Sequence, residues 1–336
     1  MTPARVRISS TVTSEFPCAS LRFPWRKPRV LCPTEPGYAL AVALHYDILA
    51  LDLDGTLLGP DGTVSEVNRQ AVHRAREAGL SIFPCTGRGL VECRHILNHI
   101  GHVGPVAVAG GAMIADVASG KTLHRFAMSP ATVAHAVEAF HEEGNAALVL
   151  KDRFAAGFDY LVVTGPDNHA IDPVSVWWFE ALKVELKFVG SIEEDTHPEY
   201  TIRTSIVADS RRSVPLMRRL RRHFGSNALL HSFPAVISSD LQNAGGREVH
   251  VLEVFDARAH KWSAVEWFAE QNALFNPRVC AMGDHVNDVT MLREAALGIA
   301  MGNAAPEARA VADVVTKSNS EDGVAHAIDM ILSGAW

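Results

Sequence analysis

The sequence predicts an α/β fold: a doubly wound parallel sheet into which a second, α+β domain is inserted. Three observations predict it. Short apolar segments alternate with amphipathic ones near both ends of the chain, as strands do when they feed helices that cover both faces of a parallel sheet. Between about residues 124 and 250 the strands lengthen and alternate in polarity, the mark of a sheet with one face less covered. Two of the terminal strands run directly into acidic pairs, Asp52/Asp54 and Asp284/Asp288.

The elements follow in order. Residues 47–53 (DILALDL) form an apolar run ending in a turn, a buried strand. Ser65 is placed to cap a helix running through Glu77, with Gly79 to end it. Residues 80–85 and 105–109 read as strands, with a helix over 89–100 between them. In the middle region, 146–152, 183–189 and 200–207 read as strands, and helices are expected near 131–143 and 214–224, the latter started by Ser213 and Pro215. The first rhythm then returns: a helix from about 263 to 272, a strand at 278–282, a short helix from about 289, a strand at 297–301 and a last helix at 323–332. The expected domains are 46–123 with 251–336, and 124–250 inserted between them.

Composition limits the function classes. The chain has 336 residues, 48% hydrophobic and 21% charged, and a net charge of −7, which argues against nucleic acid as the main partner. The five cysteines are odd in number and scattered without a CxxC pair, which suits a reducing cytoplasm. No stretch reaches the roughly 20 apolar residues of a membrane helix; the nearest, 37–51, is broken by His45 and Asp47. Residues 1–45 differ, with Arg5, Arg7, Arg22, Arg26, Lys27 and Arg29 against Glu15 and Glu35, and with frequent proline. They read as a disordered extension, either a targeting leader or a wrongly chosen upstream start.

The acidic pairs carry the chemistry. In an open parallel sheet, ligands bind beyond the carboxyl ends of the strands, and Asp52, Asp54, Asp284 and Asp288 all stand there. Two such charges ~4 Å apart repel by about 4 kcal/mol at an effective dielectric of ~20, so a cation or a proton must accompany them. An all-oxygen donor set favours Mg²⁺ over zinc, and Lys261, opening a helix, supplies further positive charge. A calcium loop of the EF-hand kind is excluded: Gly55 falls at its fourth position where the sixth is required, and Thr63 stands where a glutamate should.

With 52-DLDGTLL-58, 85-CTGR-88, Lys261 and 283-GDHVND-288 in this order, the chain resembles the haloacid dehalogenase (HAD) superfamily, in particular its Cof-type members, over about residues 46–336. The trailing 301-MGNA-304 and 320-SEDGVA-325 fit the same subfamily. The resemblance implies a Rossmann-like HAD core with an α+β cap, and a Mg²⁺-dependent phosphatase of small phosphorylated metabolites, sugar phosphates foremost. Asp52 would be the nucleophile that forms an aspartyl-phosphate. Asp54, its pKa raised by burial and nearby charge, would be the acid and then the base. Thr86 and Lys261 would hold phosphate oxygens, and Gly55, Gly87, Arg88 and Asn287 would line the phosphate and substrate site. The metal would be bound by Asp52, the Asp54 backbone carbonyl and Asp284, with Asp288 as ligand or support. A phosphosugar mutase, or a non-catalytic regulator that binds a phosphorylated ligand, are the alternatives. Three departures stand out: 110-GGA-112 where the family has Asn-Gly-Ala, Trp262 after the lysine where glycine is common, and His285 within the fourth motif.

Other features carry less. The basic run 211–224 reads as a solvated helix face with Val214, Met217 and Leu220 at core spacing. His95 and His99, at i and i+4, have zinc-capable spacing without a third ligand in sight. The 177-WWF-179 triplet reads as core of the inserted domain.

Overall fold

A computed structural model describes residues 45–235 and 249–336 of the chain. The extension read over 1–45 lies outside the described residues, apart from His45. Among the described residues, no helix is long and apolar enough to cross a membrane.

Strand β1 (Ile48–Asp52) is buried along its whole length and lies at the centre of an eight-stranded sheet. On one side stand β2 (Ser81–Cys85), β3 (Pro105–Val108), β4 (Met113–Asp116) and β5 (Thr122–Arg125); on the other, β12 (Val279–Gly283), β13 (Leu297–Ala300) and β14 (Val314–Val315). All pairs from β14 across to β3 are parallel, while β4 and β5 add antiparallel. Continuous apolar runs such as Ile48–Leu51 are what a strand covered on both faces requires. Helix α1 (Glu66–Glu77) starts as expected, Ser65 accepting a hydrogen bond from the Asn68 N–H at 3.1 Å. Helix α2 is Leu90–His99.

The inserted region builds a second sheet, in the order β10 (Ala228–Pro234), β11 (Val249–Asp256), β9 (Thr201–Asp209), β6 (Ala147–Lys151), β7 (Tyr160–Val163) and β8 (Leu186–Val189). Its pairs are antiparallel except β7 with β8, joined by a helical crossover that the sequence reading missed. Helices α3 (Pro130–Glu142) and α6 (Ser210–Phe224) pack on one face through Val133, Val137, Phe140, Leu216, Leu220 and Phe224. Between them in the chain come α4 (Arg153–Ala156) and α5 (Pro173–Leu182). Helix α5 covers part of the opposite face, where Phe179 meets Leu148, Tyr160 and Val162.

Several expectations need correction. The boundary at 250 cuts through β11, which pairs along its length with β9 and β10, and the boundary at 123/124 falls inside β5, which belongs to the first sheet. Helix α6 begins at Ser210, not near 214. The Asp209 side chain caps it by accepting from the Arg211 N–H at 2.8 Å, and Pro215 is carried inside the helix. Ser213 takes the buried position and Val214 is 50% exposed. Two of the α6 arginines pair with α3, Arg212 with Glu143 and Arg219 with Glu142. Of the aromatic triplet, Phe179 is core but Trp177 is 38% exposed. His95 and His99 are exposed, and neither belongs to a metal-capable group among the described residues.

Candidate active site

The register of the first sheet assembles the site. Asp52 pairs with Cys85 and Leu51 with Met282, so the ends of β1, β2 and β12 lie level. Asp52 closes β1, Thr86 follows β2 and Asp284 follows β12. Helix α7 (Lys261–Gln271) opens beside them, its first turn capped by His260, whose Nδ1 accepts from the Ser263 N–H at 3.2 Å.

Lys261 is fully buried and holds two carboxylates together. Its Nζ donates to Asp52 Oδ1 at 2.5 Å and to Asp288 Oδ1 at 2.6 Å. The other oxygen of Asp288 accepts from the backbone N–H groups of Asp284 and His285, each at 3.0 Å. One carboxylate oxygen from each of Asp52, Asp284 and Asp288 lies within 4.8 Å of the others. The imbalance is visible in the proton affinities. Burial first, then the Asp288 charge, raises Asp52 well above the usual carboxylate range, against the pull of Lys261. Burial and Asp288 push Asp284 up to about 6. Lys261 is raised because Asp288 and Asp52 outweigh the burial that would lower it. Three carboxylates facing one ammonium leave room for a divalent cation, and their all-oxygen donor set suits a hard ion.

Two loops close on this centre. After β1 the chain turns through Gly55 at φ 73°, and a Cβ there would lie 2.2 Å from Asp284 Oδ2, so only glycine fits. Thr56 donates to Asp284 Oδ1 at a long 3.5 Å. After β2, Thr86 is buried and its Oγ1 accepts from the Arg88 N–H at 3.1 Å. Gly87 faces Asn287: a Cβ on it would lie 4.0 Å from Asn287 Nδ2, while Asn287 Oδ1 is buried with no hydrogen-bond partner in the protein.

The structure therefore brings Asp52, Asp284, Asp288 and Lys261 together, with Gly55 against the trio. It does not bring Asp54 there. The turn at Gly55 sends the Asp54 side chain to Arg88, which grips it with Nη2 at 2.6 Å and Nε at 2.9 and 3.1 Å. The Asp54 side chain is 51% exposed, so the burial expected of it is missing. Arg88, expected on the phosphate, is occupied by that carboxylate.

Sequence reasoning missed Asn303. Its Nδ2 donates to the Gly55 carbonyl at 2.8 Å and its Oδ1 accepts from the Asn319 N–H at 2.8 Å, tying the loop after β1 to the C-terminal segment. The 301-MGNA-304 motif was the signal. It also missed Gly283, where a Cβ would stand 2.5 Å from Asp288 Cγ.

Residues 49–328 match the family model of haloacid dehalogenase-like hydrolases. The chain belongs to that family. Among its relatives is the 5-amino-6-(5-phospho-D-ribitylamino)uracil phosphatase YwtE of Bacillus subtilis (strain 168), 28% identical, the match covering 86% of this chain and 99% of the relative. The pyridoxal phosphate phosphatase YbhA of Escherichia coli (strain K12) is 26% identical over 84% of this chain and 97% of its own. A haloacid dehalogenase-like hydrolase from Bacteroides thetaiotaomicron shares the fold with a TM-score of 0.65 at 23% identity, over 85% of this chain and 99% of that one. The HAD member therefore has the Rossmann-like core with an inserted α+β layer that its sequence predicts.

Proposed function

We propose that this HAD hydrolase is a Mg²⁺-dependent phosphatase of small phosphorylated metabolites, acting in the cytoplasm. The observation that carries the reading is Lys261 joining Asp52 to Asp288 beside Asp284, at the carboxyl ends of β1 and β12. The phosphatase names of the relatives support it.

Asp52, Asp284 and Asp288, with the Asp54 backbone carbonyl, are the groups that would hold the ion. When bound, Mg²⁺ supplies the positive charge that lets these carboxylates ionise together and that draws a phosphate dianion in. Lys261 then holds Asp52 Oδ1, leaving Oδ2 to attack phosphorus; an ionised carboxylate needs no base to do so. The P–O bond to the leaving alcohol breaks as the aspartyl-phosphate forms, and Asp54 gives the alcohol oxygen its proton. Asp54 then takes a proton from water, whose oxygen attacks the same phosphorus, releasing inorganic phosphate and regenerating Asp52. Thr86, Asn287, Lys261 and the backbone N–H groups around Gly55 and Gly87 are the donors available to the phosphoryl oxygens.

For this sequence Asp54 must leave Arg88 and take up a proton from solvent, which its exposed position allows, before it can serve as the acid. The pair is bidentate but half-exposed, so opening it costs about 1 kcal/mol or somewhat more. The arriving phosphate dianion offers Arg88 a replacement partner. The test is p-nitrophenyl phosphate hydrolysis with Mg²⁺ by the native protein and by Asp52→Asn. Equal rates would refute the reading.

A further inference from the structure

The second sheet turns one face away from α3 and α6. In register on that face stand a row of His231, Glu253 and Ser205, and beside it a row of Leu229, Phe255, Arg203, Leu150 and Tyr160. Phe255 is buried in the core of the first sheet, with Leu150 and Leu229 packed against it. The His231 row therefore lies one step out from where the two layers meet.

A chain of contacts runs from this row to the active centre. Gly111 touches the start of α7, since a Cβ on it would lie 2.5 Å from the His260 carbonyl group. Gly110, at φ 70°, lies under Phe255, whose Cζ would be 3.8 Å from a Cβ there. The Phe255 ring in turn lies 5.4 Å from the His231 imidazole. Gly110 thus offers the substrate no side chain, and the path through Phe255 leads to His231 and Arg203 on the opposite layer.

The surroundings of His231 define what it can bind. Glu253 Oε2 stands 4.0 Å from its Nδ1, and Glu253 Oε1 accepts from Arg203 Nη1 at 2.5 Å. Arg203 Nη2 donates to the Tyr160 hydroxyl at 2.7 Å. The Arg203–Glu253 pair cancels its own charge. Burial, and then the positive charges of Lys261, Arg203, His285 and Arg221, press His231 down to about 4, so at neutral pH it is an uncharged imidazole with one donor and one acceptor. Arg88 is engaged by Asp54. Once released, Arg88 turns to the transferring phosphate, and Arg221 stands on α6 across the sheet, so among the described residues no unpaired cation is left on this face for a second anionic group.

We propose that His231, steadied by Glu253 and Phe255, hydrogen-bonds the leaving group and selects phosphate monoesters of uncharged, hydroxylated alcohols. The inference rests on the phosphatase reading and names the residue that sets its substrate class. A site built to pair with a hydroxyl discriminates strongly once the pairing group is lost. The test measures kcat/KM of the full-length protein with Mg²⁺ for a set of sugar and polyol monophosphates, for fructose 1,6-bisphosphate and for p-nitrophenyl phosphate. The native protein is expected to prefer the best polyol ester to the bisphosphate. In His231→Phe the ratio of polyol ester to p-nitrophenyl phosphate should fall about 10- to 100-fold, mainly through KM. His231→Gln, which keeps a donor and an acceptor, should restore most of it. Should the phenylalanine variant fail to fold, His231→Ala carries the same test without added bulk. An unchanged ratio, or a native preference for the bisphosphate, overturns the proposal and leaves the phosphatase reading standing. Absence of turnover on every ester overturns both.

Discussion

Two buried ionic clusters occupy the two layers of this molecule, and they differ in charge balance. In the first, Lys261 faces Asp52, Asp284 and Asp288, and the cluster is short of positive charge. In the second, Arg203 pairs with Glu253 and donates to the Tyr160 hydroxyl, with buried Glu92 as a more distant carboxylate, so the cation meets its partner within the protein. Both bear the desolvation cost of buried ions, several kcal/mol each. The second offsets more of it within the protein, although Arg203 Nε stays buried without a hydrogen-bond partner. The surplus of carboxylate in the first cluster has a physical meaning only if something cationic completes it. A pair whose two charges already meet is suited to orienting a neighbour, here His231.

The largest effect that tests this contrast is Asp52→Asn. Hydrolysis of p-nitrophenyl phosphate should drop by at least about 10³-fold, because the attacking group is gone. Without metal the same variant should melt no lower than the native protein, since it removes a carboxylate whose ionised form is disfavoured by burial and by Asp288. Activity and stability moving down together would break the contrast. Next come the two cations. Lys261→Met and Arg203→Met each strip a buried partner and should cost about 3–5 kcal/mol in urea unfolding. Mg²⁺ should return part of the loss in the Lys261 variant, because it replaces the missing charge, and none in the Arg203 variant. Adding Glu253→Gln to Arg203→Met should recover most of that loss. Equal rescue of both single variants by Mg²⁺ would show that the clusters do not differ in the way described.

The same contrast explains how much the sequence disclosed. The first cluster was legible because its aspartates follow neighbouring strands of a parallel sheet, and strand ends in such sheets converge. Asp52, Asp284 and Lys261 therefore announced themselves from motifs more than 200 positions apart. Asp54 departs from period-two reasoning because the backbone leaves the strand there. Gly55 turns, and the side chain goes to Arg88. The second cluster was not legible at all. His231, Arg203 and Glu253 lie on three strands whose register depends on tertiary pairing, and no local pattern fixes which residue of β10 stands opposite Glu253. Helix α6 shows the intermediate case: its periodicity was plain, but the start was misplaced because Pro215 looked like a beginning and Asp209 supplied the cap.

The clusters also answer pH with opposite sign. His231 is held near 4 against an ordinary value of 6.5. Below 6.5 the unfolded chain takes up a proton that the folded chain refuses, so the contribution of His231 is full above 6.5 and is lost as pH falls towards 4. The loss is roughly 3 kcal/mol, order of magnitude. Asp284 runs the other way, since its folded pKa of about 6 lies above the ordinary 3.8. In metal-free protein its contribution is full below 3.8 and disappears as pH rises through 6. In urea unfolding in chelator across pH 4 to 7 the two slopes oppose and largely offset each other in the native protein, so His231→Gln should uncover a stability that falls as pH rises towards 6. A variant with the native pH profile would place the titration elsewhere.

The smallest effect concerns the ion itself. On the proposed function magnesium binds the ionised trio, so below about 6 each titration of Mg²⁺ must first expel the proton that burial and Asp288 keep on Asp284. The dissociation constant should weaken by about tenfold for each pH unit below that value and level off above it. Calorimetric titration at two buffer ionisation enthalpies reads the released proton directly. The second cluster, with no vacancy to fill, should contribute nothing to this slope, and Glu253→Gln should leave it as it is. A slope that changes with Glu253→Gln would mean that the two layers share their charge balance after all.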